Sequence, residues 1–123
     1  MSFEDLQKLT LKWADDKDLL HAENTHKQFM KFIEEVFEFK TWMDRLTRDI
    51  EYCKALNIPF DDTLFDMGNL KLEMGDIFVT LIILCEQIGI DPVVCLDMAY
   101  KKISKRTGKT INGTFVKEED YEI

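Results

Sequence analysis

Glycine and proline are scarce in this chain, with five Gly and two Pro among 123 residues. That scarcity argues against a loop-rich or all-β architecture and for long helices. Cysteine is rarer still for its role as a staple. Cys53, Cys85 and Cys95 are odd in number, form no CxxC pair and lie inside apolar stretches. With no secretory signal at Met1-Ser2-Phe3-Glu4-Asp5, they are expected to be reduced core thiols of a cytoplasmic protein. Only two His occur, His21 and His26, close together in a polar turn. No Ser/His/Asp or Cys/His catalytic arrangement is supported by them. Long apolar runs are missing too. The longest, from Ile77 to Ile90, is interrupted by Thr80, Glu86, Gln87 and Gly89. A bilayer span needs about 20 apolar residues, so this segment is expected to be a helix buried on all sides.

Positive charge is also in deficit. Sixteen Lys and Arg face 24 Asp and Glu, giving a net charge of −8 and a pI near 4.7. Phosphate backbones and anionic membranes select basic surfaces, so neither is expected as a partner. A small polyphosphate remains acceptable where a cation stands between it and the protein. What the chain does have is core material: 46% hydrophobic residues, including nine Phe and two Trp. No repeat or low-complexity tract interrupts it, so residues 1–106 are expected to form one helical domain and 107–123 a tail.

The fold class expected is all-α, with four main helices and a short C-terminal hairpin. The first helix is read over 2–20, with Ser2 as N-cap and Leu6, Leu9, Trp13 and Leu20 as its apolar stripe. Trp13 is assigned to the core. The second begins near Asn24 or Thr25 and runs at least to Met43, reaching at most Leu56, where Asn57-Ile58-Pro59 ends it. Residues 60–69 are a connector with a short helical turn after Asp62. A third helix over 70–88 stops at Gly89. Asp91-Pro92 opens a fourth, which closes near Gly108 and turns Val94, Met98 or Ala99, and Ile103 inward. An Asn112-Gly113 turn then makes a hairpin over 110–116. The apolar faces are too broad for one copy to cover, so a homodimer or homotetramer is expected.

Carboxylates stand where a core-forming helix should not have them. Glu35 and Glu38 are three residues apart on the second helix, and Glu73 and Asp76 likewise on the third. Like charges at that spacing repel, and aromatic and aliphatic residues flank both pairs. If the two helices pack antiparallel, Glu35, Glu38, Glu73 and Asp76 converge. Buried without counter-charge, they would be prohibitive. An all-oxygen donor set suits Mg²⁺, with Mn²⁺ as a substitute. The Glu-x-x-His pattern of a di-iron bundle is absent.

The succession Trp13-Ala14-Asp15-Asp16, Gln28, Lys31, Glu34-Glu35-Val36-Phe37-Glu38 and Glu73-Met74-Gly75-Asp76 resembles the MazG-like all-α nucleoside triphosphate pyrophosphohydrolases, whose hallmark is EExxE followed by ExxD. Similarity extends through Leu84 to Asp91, Lys102-Ile103-Ser104-Lys105-Arg106 and Asn112 to Lys117. The connector between Glu38 and Glu73 is longer than in most such proteins. The resemblance implies Mg²⁺-dependent hydrolysis of a nucleoside triphosphate between its α- and β-phosphates. It implies Glu35, Glu38, Glu73 and Asp76 as metal ligands and Glu34 as the residue that orients or deprotonates the attacking water. Gln28 and Lys31 match positions near the nucleotide, and Lys102 and Arg106 would take the outer phosphates. A dUTP- or dCTP-directed enzyme, a phosphoribosyl-ATP pyrophosphohydrolase, and a helical interaction module without turnover are the rival readings.

Overall fold

The computed structural model describes residues 1–61 and 67–121. Helices dominate it: α1 (Phe3–Asp16), α2 (Thr25–Ala55), α3 (Met67–Ile88) and α4 (Pro92–Ile103). An antiparallel hairpin follows, β1 (Gly108–Ile111) with β2 (Thr114–Lys117). Short 3-10 turns lie at Ala22–Asn24 and Glu118–Asp120. The helical turn expected after Asp62 falls outside the described residues. No single described helix is long and apolar enough to cross a membrane. The chain divides into two units, Met1–Ile90 and Asp91–Ile123. α4 therefore belongs with the hairpin, whereas the sequence joined it to everything up to residue 106.

In the first unit, α1 opens on a capping box. The Ser2 hydroxyl accepts from the Asp5 amide at 3.1 Å, and the Asp5 carboxylate accepts from the Ser2 amide at 3.0 Å. The Ser2 amide, with help from the Ser2 hydroxyl, holds the Asp5 carboxyl below its usual value, and the two hydrogen bonds of the box satisfy two of the amides a helix start leaves unpaired. Three helices then stop by one device. Asp18, Asn57 and Gly89 each take positive φ (60°, 54° and 85°). The next amide reaches back five residues: Leu19 to Ala14, Ile58 to Cys53, and Ile90 to Cys85, at 2.9–3.0 Å. This is the Schellman pattern of a helix C-terminus. It ends α1 at Asp16, short of the expected Leu20. It also ends α2 before Pro59 can act.

α3 is the centre of the unit and packs against both α1 and α2. Thr80, Ile82, Ile83, Leu84, Cys85 and Gln87 are buried, so the later half of this helix forms the core, but Phe78 and Ile88 stay about half exposed and the helix is not buried on all sides as expected. It starts at Met67, one turn earlier than the apolar spacing suggested. α1 meets it through Ala14, which is fully buried, while Trp13 is 50% exposed and not a core residue. Neighbouring side chains on a helix point about 100° apart, so only one of the two can face α3, and the small one permits the closer approach. Phe3 adds an edge-to-face contact with Phe78 at 6.3 Å.

The turn between α1 and α2 carries a charge contact. His21 Nε2 hydrogen-bonds the Asp18 carboxylate, with Glu23 3.9 Å from Nδ1. The hydrogen bond to Asp18 and its negative charge raise the His21 pKa above 6.5. A raised folded value means the contact's contribution is fully present below 6.5 and is lost as pH climbs through the folded pKa. We expect an NMR titration to place His21 above 6.5, and Asp18→Asn to bring it back toward 6.5. Asn keeps the left-handed turn while removing the charge. An unchanged titration in that variant would remove Asp18 as the cause.

The second unit begins with Asp91 accepting from the Val93 amide at 2.9 Å and Pro92 in the first helical turn. α4 then runs twelve residues without burying one. The inward face expected from Val94, Met98, Ala99 and Ile103 is exposed, and Cys95 is exposed rather than a core thiol. Cys85 is buried and Cys53 half-buried, and none of the three cysteines is in a disulfide. The hairpin forms as its Asn-Gly turn predicts, with Asn112 and Gly113 at φ 52° and 80° and Ile111 opposite Thr114. Gly108 is required where it stands, because a Cβ there would lie 2.3 Å from the Val116 carbonyl oxygen.

Candidate metal centre

Of the 31 residues of α2, the only buried one is Glu35, at 7% exposure. A long helix that buries a carboxylate and no apolar side chain is not using that residue for packing. Its surroundings follow from the way α2 and α3 run past each other. The Gln28 side-chain amide donates to the Thr80 carbonyl at 3.2 Å. Seven residues further along α2 lies Glu35, and seven residues back along α3 lies Glu73. The pair is therefore antiparallel. Carboxylate oxygens of Glu35, Glu73 and Asp76 lie within 4.8 Å of one another.

The electrostatics of this cluster are unbalanced. Lys31 Nζ sits 3.1 Å from Glu35 Oε1 and 3.3 Å from Glu34 Oε2. Those two contacts, with Glu35 first, hold the Lys31 ammonium above its usual pKa. Glu35 Oε2 and Glu73 Oε2 are buried and accept no hydrogen bond. A buried carboxylate oxygen without a donor is costly. Glu38 is exposed and stands outside the closest group of three, yet it feels the cluster. The negative charge of Glu35, partial desolvation and the charge of Glu73 raise its pKa, with Lys31 opposing.

Of the residues singled out by sequence, α2 and α3 thus bring together Lys31, Glu35, Glu73 and Asp76, with Glu38 at the edge. Glu34 is exposed and held by Lys31. Gln28 is committed to Thr80. Lys27, Met30, Lys31, Ile33, Glu34 and Phe37 line an open groove of about 490 Å³ on α2. Lys102 and Arg106 belong to the second unit. Lys102 is exposed in the last turn of α4, and Arg106 lines a cleft of about 540 Å³ of mixed charge with Lys105, Thr107, Lys117, Glu118 and Glu119.

Two polar residues of α3 escaped the sequence reading. Thr80 is buried with its hydroxyl on the Ile77 carbonyl at 2.9 Å, and buried Gln87 donates to the Leu19 carbonyl at 2.8 Å. The signal was present. Glu73, Thr80 and Gln87 recur every seven residues in an apolar helix, which sets them along one side.

Comparison with protein-family models, with curated proteins and with solved structures finds no match to this chain.

Proposed function

We propose that the chain is a divalent-metal-dependent nucleoside triphosphate pyrophosphohydrolase of the MazG-like kind, yielding a nucleoside monophosphate and pyrophosphate. One observation carries the reading. Three carboxylates from two helices converge on one point, and two of their oxygens are buried without a partner. A solvated acidic face has no reason to bury such oxygens, whereas a hard cation supplies what both lack. Glu35, Glu73 and Asp76 would hold it, with Glu38 completing the set. Mg²⁺ is the natural occupant and Mn²⁺ its substitute. When bound, such an ion supplies Lewis acidity toward a phosphate oxygen and lowers the pKa of a water.

The chain's own side chains supply the rest. Glu34 lies next to the ligands in sequence and faces solvent, where it can accept the proton of the water that attacks the α-phosphorus. As that bond forms, the bond from the α-phosphorus to the bridging oxygen breaks and pyrophosphate leaves. The groove along Met30, Ile33 and Phe37 offers an apolar wall for the nucleoside.

Self-association is part of the proposal. Phe37 on α2, Leu72 on α3, and Leu96, Met98 and Tyr100 on α4 are all 63–70% exposed. So much exposed apolar surface marks an interface, and a second copy is the occupant proposed.

Incubation with each (d)NTP and Mg²⁺ tests the reading. Pyrophosphate should be released, release should stop with a chelator, and Glu38→Gln should suppress turnover while leaving helicity intact. Orthophosphate as the sole product, or turnover that ignores the chelator, would overturn it. Silence with every nucleotide would favour the interaction module. Sedimentation should give a multiple of the 14.5 kDa chain mass, and a sharp monomer would refute the self-association.

A further inference from the structure

Lys31 compensates the carboxylate centre in an incomplete way. Its Nζ reaches one oxygen of Glu35, at 3.1 Å, and leaves the other buried and unpartnered. A permanent structural partner for a buried carboxylate is expected to satisfy both oxygens. The ammonium is also shared. It lies 3.3 Å from Glu34 Oε2, whose side chain is 61% exposed, whereas that of Glu35 is 9% exposed. Lys31 itself is half in water, at 52%. It therefore spans from the buried cluster to the outer groove, holding one carboxylate at each end of its reach.

We infer that Lys31 is a displaceable counter-cation: it neutralises Glu35 while the centre lacks a divalent ion, and it gives up Glu35 when one binds. This rests on the metal reading above. The reason is electrostatic. A divalent ion held by Glu35, Glu73 and Asp76 would place two positive charges within a few ångströms of the ammonium, in a setting that screens poorly. It would also draw on the electron density that holds Lys31. The contact to Glu35 is then lost and the contact to Glu34 is kept. Lys31 swings toward the groove it already lines. There its charge faces an incoming anion, so occupancy of the centre and readiness of the lysine become one event.

The test uses the free protein with Mn²⁺ as probe and needs no turnover. By calorimetry, Lys31→Gln should bind Mn²⁺ on the order of tenfold more tightly than wild type, because a competing cation is gone. Lys31→Arg should stay near wild type. In thermal melts, Lys31→Gln should lower the midpoint in chelator and match wild type in saturating Mn²⁺. A lysine with only a structural role would lower both midpoints equally. In wild-type protein, acetylation of Lys31 followed by mass spectrometry should run several-fold faster with Mn²⁺ than without. Equal or weaker Mn²⁺ binding by Lys31→Gln, equal losses in the two melts, or an acetylation rate blind to Mn²⁺ would each overturn the inference and leave the metal centre standing. Failure of wild type to bind Mn²⁺ would overturn both.

Discussion

Glu35→Gln should weaken Mn²⁺ or Mg²⁺ binding by at least about tenfold, since loss of a direct ligand costs no less than loss of an outer-shell partner, and turnover should fall with it. The substitution keeps the volume of the side chain at the one buried position of α2. The metal-free protein should therefore stay folded, with stability equal to or above wild type. Removing the charge relieves repulsion with Glu73 and Asp76, whose oxygens lie within 4.8 Å, and with Glu38. Against this stands the loss of a partner for Lys31, which is half exposed and can be solvated. Calorimetry with the metal and melts in chelator give both numbers. Retention of wild-type metal affinity would remove Glu35 from the centre, and a collapse of the metal-free fold would make the residue structural.

The largest effect on stability is expected at Ile83. It is 3% exposed in the enclosed part of α3, and truncating such a residue to Ala costs about 2–5 kcal/mol through lost burial and the cavity left behind. Against a whole-domain stability of about 5–15 kcal/mol, that is a large fraction. A denaturant titration should show a lower midpoint with an unchanged slope. A change below about 1 kcal/mol would mean that α3 is less closely packed than its burial implies.

Much of this was legible from residue spacing. Apolar periodicity located the four helices, Asp91-Pro92 and Gly89 marked two boundaries, and Asn112-Gly113 marked the hairpin. The stops at Asp18 and Asn57 were not legible, because positive φ at Asp or Asn is a local choice that sequence permits without requiring. Trp13 and the apolar residues of α4 misled for a common reason: hydrophobicity states what a side chain prefers, and the packing decides which neighbour obtains it. The carboxylate pairs stood out by their spacing and apolar flanks. Which carboxylate is buried did not, since that depends on how α2 passes α3. Lys31 stood out only as a position that the resemblance places near the nucleotide, and its contact with Glu35 required the distances.

The polar residues between α2, α3 and the turn after α1 carry one more consequence. Gln28 with Thr80 and Gln87 with Leu19 form hydrogen-bonded rungs spaced two helical turns apart along α3. Apolar side chains alone would tolerate a slip of α3 past α2 by one turn, about 5.4 Å, because hydrophobic contact is nearly indifferent to such a shift. The rungs are not indifferent. A single-turn slip would strand the Gln28 and Gln87 amides together. They therefore act as a vernier, trading some stability for a unique alignment.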